Sequence, residues 1–206
     1  MILKTFVKGP IDANNYLLVD EDSKDAILID CSDDFTSEIK ELGINLKAIL
    51  LTHGHFDHIL GCNRFHEEFG CDIYVSDKDV EQIEYAPEMT SILGGVRIPE
   101  VASVKKIVKE GDIFTLGSVS IKAISTSGHT RGGMCYLTSN GELFSGDTIF
   151  HGSVGRTDFL GGNFEELFKS VKEIIFKLPD ETIIYPGHGP KTTIKVEKRF
   201  NEINKI

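Results

Sequence analysis

Three histidines and one aspartate lie within six consecutive residues of this 206-residue chain. They belong to the segment Thr52-His53-Gly54-His55-Phe56-Asp57-His58. Imidazole and carboxylate groups are ligands that divalent transition metals commonly take from proteins. A purely structural role explains the cluster poorly, because unpaired polar rings packed together would lose hydration without compensation. The segment therefore predicts a metal site.

The spacing within this segment indicates more than one metal ion. His53 and His55 are two residues apart in a stretch that we expect to be extended, so their side chains can point the same way. Asp57 and His58 fall in the first turn of a helix predicted from about Asp57 to Phe69, where they can face a neighbouring point. The geometry suits two adjacent metal ions, one bound by each pair.

Three later segments each place one histidine or aspartate after an apolar strand-like run, in a turn that contains glycine. They are 127–130 with His129, 144–147 with Asp147, and 186–189 with His188. Glycine lets the backbone approach a site closely, which suits a ligand-bearing turn. These three side chains are therefore candidates for the remaining metal ligands.

The elements that must position these residues alternate along the chain. Runs of apolar residues bounded by turn residues predict strands, and apolar residues at helical spacing predict helices. The pair Asn140-Gly141 predicts a hairpin, and residues 77–100 predict a short helix and a surface loop. The pattern favours an α/β fold with helices on the outer faces of the sheets. The predicted strands are 2–8, 15–19, 26–30, 47–51, 71–75, 104–108, 113–116, 119–125, 135–138, 142–144 and 182–185; the other predicted helices run from Asp33 or Asp34 to about Leu42, over 164–177, and over 193–204.

Length and charge exclude several classes of protein. The 206 residues fit a single domain, 1–206, and 22 basic against 32 acidic residues give a net charge of −10, which disfavours nucleic acid as a partner. No apolar run approaches the roughly 20 residues of a membrane-spanning helix, and the first eight residues lack a signal-peptide pattern. We therefore expect no membrane partner and a cytoplasmic location. The four cysteines form no C-x-x-C pair, and we expect them to be free and buried.

The order H-x-H-x-D-H, G-H-T, G-D and G-H-G resembles the metallo-β-lactamase-fold hydrolases over nearly the whole chain. This resemblance implies a four-layer αβ/βα sandwich with the metals at one edge between two sheets. It also implies that Asp147 bridges the two metals and that Asp30 is an acid that steadies the ligand loops, although a turn residue at the end of a strand explains Asp30 nearly as well. By the same resemblance, the first metal is held by His53, His55 and His129, and the second by Asp57, His58 and His188.

Within that family, the stretch from Gly146 to Phe159 resembles the short glyoxalase II-like proteins. The resemblance implies hydrolysis of a small-molecule thioester of the S-lactoylglutathione type by two divalent metal ions, most simply zinc, with iron or manganese as alternatives. Asp57 would orient the attacking hydroxide as well as serve as a ligand. Arg156 would either contact the substrate or pair with Asp158, and the sequence leaves both open. Because the net charge opposes anionic glutathione, we expect weak dependence on the glutathione part.

Other functions stay open on the sequence alone. A single iron held by His53, His129 and Asp147 would make a facial triad, as in the related persulfide dioxygenases. Another ester or lactone hydrolase of the same fold is a further alternative. A non-enzymatic metal-holding module would instead have a closed site with no open coordination position.

Overall fold

The computed structural model of the chain describes residues 1–85 and 105–206. Its first sheet contains six strands in spatial order: β1 (Ile2–Lys8), β2 (Ala13–Val19), β3 (Asp25–Ile29), β4 (Asn45–Leu50), β5 (Asp72–Ser76) and β6 (Lys105–Val108). The pairs β1–β2 and β2–β3 are antiparallel, whereas β3 to β6 run parallel to one another. The carboxyl ends of β3 and β4 therefore reach the same edge of the sheet.

The second sheet has the spatial order β12 (Thr192–Thr193), β11 (Ile183–Pro186), β10 (Glu142–Gly146), β9 (Met134–Thr138), β8 (Val119–Ser125) and β7 (Ile113–Leu116). The pair β10–β11 is parallel, and the other neighbouring pairs are antiparallel. Because β9 runs against both of its neighbours, β8, β10 and β11 share one direction. Their carboxyl ends also meet at one edge.

Helices cover the outer face of each sheet, so the fold has four layers. Alternation along the strands sends Leu18 towards the second sheet and its neighbour Leu17 towards the helices. The helices are α1 (Thr36–Glu41), α2 (Cys62–Phe69), α3 (Val80–Tyr85), α4 (Phe164–Lys169) and α5 (Ile194–Phe200). Apolar side chains form three layers, each represented here by two residues. Leu18 and Tyr136 lie between the two sheets, Leu28 and Phe65 between the first sheet and α2, and Leu143 and Leu167 between the second sheet and α4. The expected αβ/βα sandwich is confirmed.

The predicted helix from Asp57 to Phe69 is wrong in its first part. A single 3₁₀ turn covers Phe56–His58, and α2 begins only at Cys62. The reason is that the backbone between these elements bonds to the loop after β3: the Cys31 N–H donates to the His58 carbonyl, and the Gly61 N–H donates to the Cys31 carbonyl. Those groups are therefore withdrawn from a continuous helical ladder.

The other helices are also less regular than the sequence predicts. The segment after α4 continues as a wider turn over Ser170–Ile174 and a tighter one over Ile175–Lys177, so residues 164–177 are helical but not uniformly α-helical. The closing helix ends at Phe200, because Asn201 has extended backbone and caps a separate 3₁₀ turn, Glu202–Lys205. The two-residue strand β12 was not predicted.

Several local predictions agree with the structure. The Asn-Gly hairpin joins β9 to β10, with Gly141 at a φ of 84° that suits glycine. All four cysteines are buried and free. The short helix predicted after residue 77 is α3, whereas the rest of the predicted surface loop, residues 86–100, lies outside the described residues. Among the described helices, none has the length and hydropathy needed to span a membrane.

Candidate metal centre

The candidate ligands follow the ends of strands that meet at one edge of the sandwich. The loop after β4 carries His53, His55, Asp57 and His58. From the second sheet, β8 leads to His129, β10 leads to Asp147 and β11 leads to His188. Since these strands share their directions within each sheet, the fold brings all seven predicted side chains to one place.

Three groups of side chains have ligand atoms close enough to share a metal ion. Within each group, one ligand atom per residue lies within 4.8 Å of the others. Two of the groups match the sets predicted for the two metals, and the third links Asp147 to both sets through His53 and His58. The groups are His53, His55 and His129; Asp57, His58 and His188; and His53, His58 and Asp147.

Individual distances show how tightly these groups are packed. His129 Nε2 lies 2.9 Å from His55 Nδ1 and 3.6 Å from Asp147 Oδ2. His188 Nε2 lies 3.1 Å from Asp57 Oδ2 and 3.7 Å from Asp147 Oδ2. Asp147 is thus within 4 Å of a histidine from each set, which is the position that a bridging carboxylate requires.

Buried polar atoms without partners identify what the cluster lacks. Among the described residues, the Nε2 atoms of His53, His55 and His58 and the Oδ1 atom of Asp147 are buried and make no hydrogen bond. Buried polar groups in proteins normally have a partner, and a cluster of unsatisfied ones requires an explanation. Nitrogen and carboxylate ligands in this number suit divalent transition metals, so the residues present fit the metal ions that the sequence predicts.

The hydrogen-bond partners of three histidine Nδ1 atoms fix the ring tautomers that metal binding needs. His58 Nδ1 lies 2.8 Å from the Asp30 carboxylate, and His129 Nδ1 lies 2.7 Å from the Arg156 carbonyl. His53 Nδ1 lies 3.0 Å from the Thr52 hydroxyl, which itself donates to Asp30. Because a carboxylate and a carbonyl only accept, the Nδ1–H groups of His58 and His129 donate, and Nε2 is the nitrogen by which each neutral ring can bind a metal.

Burial and neighbouring charges shift the pKa values of the two halves of the cluster differently. Burial lowers the pKa of His53 well below its ordinary value, and burial with the nearby His129 lowers the pKa of His55 to about 3. Burial acts in the same direction on His58, but the carboxylates of Asp57 and Asp30 outweigh it and raise the His58 pKa. Burial opposes ionisation of Asp57, yet His58 and His188 hold its pKa below the ordinary value. Asp57 is therefore a carboxylate, which a metal ligand must be.

Two glycines let the loops approach the cluster. A Cβ at Gly187 would lie 2.2 Å from Asp147 Oδ1 and 2.8 Å from His58 Cε1. A Cβ at Gly155 would lie 1.9 Å from the Asp147 carbonyl oxygen. Both positions need a residue without a side chain, because any Cβ would displace a candidate ligand.

Sequence reasoning missed Asp79, a fully buried residue in the 3₁₀ turn that follows β5. Its carboxylate accepts hydrogen bonds from the Gly54 N–H at 3.0 Å, the Thr130 hydroxyl at 2.7 Å and the Gly132 N–H at 2.6 Å. Gly54 stands between His53 and His55, and Thr130 follows His129. Asp79 thus ties together the two loops that carry the first set of candidate ligands. Burial raises its pKa despite the three donors.

A cavity of about 610 Å³ opens over the cluster. Five of the candidate ligands line it, together with apolar side chains and the exposed Arg156. The lining includes His55, Asp57, His129, Asp147 and His188, together with Ile11, Phe56, Phe150, Ser153, Val154, Arg156, Phe159 and Glu202. The cavity leaves the cluster accessible, as a catalytic metal site requires and a closed structural site does not.

Arg156 makes the pairing that the sequence left as one of two alternatives. Its Nε and Nη2 atoms each donate to Asp158 at 2.6 Å, and its guanidinium carbon lies 3.8 Å from the centre of the Phe159 ring. The hydrogen bonds from Arg156 lower the pKa of Asp158 to about 2. Contact of Arg156 with a substrate stays a prediction.

The two remaining histidines lie outside the three groups. His151 is exposed and lies 3.3 Å from Glu197, and His66 contacts the Cys71 carbonyl through Nδ1.

Comparison with known proteins places this arrangement in a family. Residues 9–188 match the family described as the metallo-beta-lactamase superfamily. Hydroxyacylglutathione hydrolase GloC of Haemophilus influenzae is 35% identical over 192 residues, 91% of each chain. The probable metallo-hydrolase YqgX of Bacillus subtilis is 32% identical over 198 residues, covering 94% of this chain and 92% of YqgX. The probable polyketide biosynthesis zinc-dependent hydrolase BaeB of Bacillus velezensis is 34% identical over 187 residues, covering 88% of this chain and 76% of BaeB.

Solved structures show the same fold over nearly the full chain. BLEG-1, described as a B3 metallo-beta-lactamase, has a TM-score of 0.89 at 33% identity and covers 98% of both chains. TTHA1623 in a di-iron-bound form has a TM-score of 0.88 at 32% identity, covering 97% of this chain and 98% of its own. ETHE1 from Myxococcus xanthus has a TM-score of 0.81 at 29% identity, covering 98% of this chain and 84% of the ETHE1 chain.

Proposed function

The chain belongs to the metallo-beta-lactamase superfamily and is a metal-dependent hydrolase of that fold, and we propose that its substrate is a thioester of the hydroxyacylglutathione type. The similarity to hydroxyacylglutathione hydrolase GloC supports the substrate class. The observation that carries the proposal is the second complete ligand group, Asp57, His58 and His188, beside the first. Two metal ions are what a hydrolase of this type uses to activate water.

We assign the metal ligands as the sequence predicts. His53, His55 and His129 would hold the first ion, Asp57, His58 and His188 would hold the second, and Asp147 would be a ligand shared between them. The relative that is named as zinc-dependent and the neighbour solved in a di-iron form support either metal. When bound, divalent ions would supply Lewis acidity that lowers the pKa of a water to near 7 and polarises a carbonyl oxygen.

The protein's own groups then position the reactants. Asp57 is ionised and lines the cavity, so its carboxylate would accept a hydrogen bond from the attacking water and orient it. Asp30 and the Arg156 carbonyl hold the rings of His58 and His129 in fixed orientations. The leaving thiolate needs little help from an acid, because thiols have pKa values near 8.5.

Metal analysis with a matched assay tests the proposal. The protein is purified without chelator, its metals per chain are counted, and hydrolysis of S-lactoylglutathione is followed. We expect two metals per chain and turnover that disappears in His188→Ala. One iron per chain with oxygen consumption on a glutathione persulfide would replace the proposal with the dioxygenase alternative. Full metal loading without hydrolysis of any ester or thioester would indicate a metal-holding module.

The free cysteines bear on where the protein works. All four thiols are buried and unpaired. Free thiols persist in reducing compartments, so we propose the cytoplasm as the location. Measurement of the protein in fractionated cells tests this directly.

A further inference from the structure

Aromatic rings stand at both ends of the candidate metal centre. The Phe159 ring lies edge-on to the His55 ring at 5.8 Å between centroids, and the Phe150 ring lies 6.2 Å from the His188 ring. Both phenylalanines are half-buried and line the cavity, so each exposes part of its ring to whatever enters. A thioester carbonyl at the metals would therefore have an apolar surface on either side.

Apart from the metal ions and their candidate ligands, the charged residues that line this cavity give an anionic carrier little attraction. Apart from the candidate ligands, the charged residues among the described lining are Arg156 and Glu202. Arg156 is engaged twice: Asp158 takes two of its donors, and Phe159 covers a face of its guanidinium. Glu202 carries the same sign as an anionic carrier. The net charge of −10 adds a repulsive long-range field.

We propose that the cavity selects its thioesters by apolar groups near the carbonyl and that Asp158 sets this specificity by neutralising Arg156. The inference rests on the thioester hydrolysis of the proposed function and revises its carrier: the preferred substrates are uncharged thioesters with an aliphatic or aromatic acyl group. A glutathione conjugate is then hydrolysed as a thioester, without recognition of its carboxylates.

The expected size of each effect follows from the exposure of the groups. Arg156 and Asp158 are exposed, with 56% and 67% of their side chains accessible, and the coupling in such pairs corresponds to at most about a fivefold change in an equilibrium. Burial of each additional methylene of an acyl chain corresponds to about a fourfold change. Acyl length should therefore matter more than carrier charge.

Two substrate series separate these effects. The first compares the lactoyl thioesters of glutathione and of uncharged N-acetylcysteamine, which share the acyl group and differ in the carrier. The second lengthens the acyl chain of the N-acetylcysteamine thioester from acetyl to butanoyl and hexanoyl. We expect the kcat/KM ratio of the first pair to stay within tenfold and kcat/KM of the second series to rise by about fourfold per methylene.

A charge-matched pair of variants tests the role of Asp158. Asp158→Asn keeps the shape and releases Arg156, so the kcat/KM ratio of the glutathione thioester over the uncharged thioester should rise two- to fivefold. Asp180→Asn is the control, because it removes the same charge from another exposed ion pair, the one with Lys198. Asp180 precedes the amino end of β11, whereas the candidate ligand His188 follows the carboxyl end of that strand. This control should leave the ratio unchanged, because it alters the net charge without releasing Arg156.

The outcomes distinguish this inference from the function on which it rests. A wild-type preference for glutathione above tenfold, or a flat acyl series, overturns the selection by apolar groups. A ratio that is unchanged or lower in Asp158→Asn, or that rises equally in Asp180→Asn, overturns the assignment of Asp158. Failure to hydrolyse any of these thioesters with two metals bound refutes the proposed function itself.

Discussion

Replacement of Asp79 by asparagine should weaken the first metal site without touching any ligand. Asparagine keeps the size of the side chain but has one acceptor oxygen and two N–H donors. Three groups donate to Asp79 in this site: the Gly54 N–H, the Gly132 N–H and the Thr130 hydroxyl, of which only the hydroxyl can also accept. In either orientation of the amide, at least one buried N–H donor faces another donor.

The magnitude follows from these three bonds. A buried donor left without a partner costs about 1–3 kcal/mol. The remaining bonds also lose their charge assistance, which roughly halves their strength. We therefore expect the free energy of unfolding to fall by about 3 kcal/mol. Since the loosened loops carry His53, His55 and His129, metal affinity at that group should fall by the 10–100-fold that is typical when the support of a ligand is lost.

The assay must separate metal binding from general destabilisation. Glu197 provides the control, because it is also a fully buried carboxylate that accepts three hydrogen bonds. Its donors are the Gly152 N–H, the Thr192 hydroxyl and the Asn201 amide, and none of these residues is next to a candidate ligand in the sequence. Glu197→Gln should lose comparable stability in denaturant unfolding but bind both metals normally in chelator competition. Asp79→Asn should show one weakened and one normal metal. If both metals bind as tightly to Asp79→Asn as to Glu197→Gln, Asp79 serves stability alone.

Three further predictions concern the cluster itself. Asp147→Asn keeps the shape of a bridging ligand and removes its charge, so metal content and turnover should both collapse; two retained metals with near-normal turnover would reject the bridging role. His129→Ala should empty mainly the first site and His188→Ala mainly the second, each by more than 100-fold in affinity; equal metal content in both variants and the wild type would contradict both assignments. Gly187→Ala should displace Asp147 and lower metal content, whereas Gly189→Ala, which meets open space but is strained by a φ of 74°, should lose some stability and retain the metal; unchanged metal content in Gly187→Ala would show that the loop can move aside.

The candidate ligands could be predicted from sequence because both their types and their positions carry information. Histidine and aspartate side chains directly after apolar strands can meet only if those strands end at one edge, and the parallel pairs β3–β4 and β10–β11 provide that edge. The order of the motifs along the chain then indicates the fold. The strand positions also agree with the prediction, because the apolar runs are bounded by turn residues that mark where each strand begins and ends.

The supporting residues could not be predicted because their partners leave no pattern. Asp79 bonds to two backbone N–H groups and one hydroxyl, which any sequence supplies, and it lies 25 residues from Gly54 along the chain. The break between Phe56–His58 and α2 arises likewise from backbone bonds to Cys31. Such contacts depend on which loops the fold brings together, and local propensity does not contain that information.

Asp30 shows how the protein's own contacts hold the ligand loop. It adopts a φ of 59°, a left-handed conformation that is uncommon outside glycine but is tolerated by aspartate. From there it accepts from the Thr52 N–H at 2.8 Å and the Thr52 hydroxyl at 2.8 Å, and contacts His58 Nδ1. Asp79 binds the same loop at Gly54. Because two buried carboxylates fix the loop that runs from Thr52 to His58, little ordering is left for metal binding to impose, and the metal's binding free energy can go into affinity.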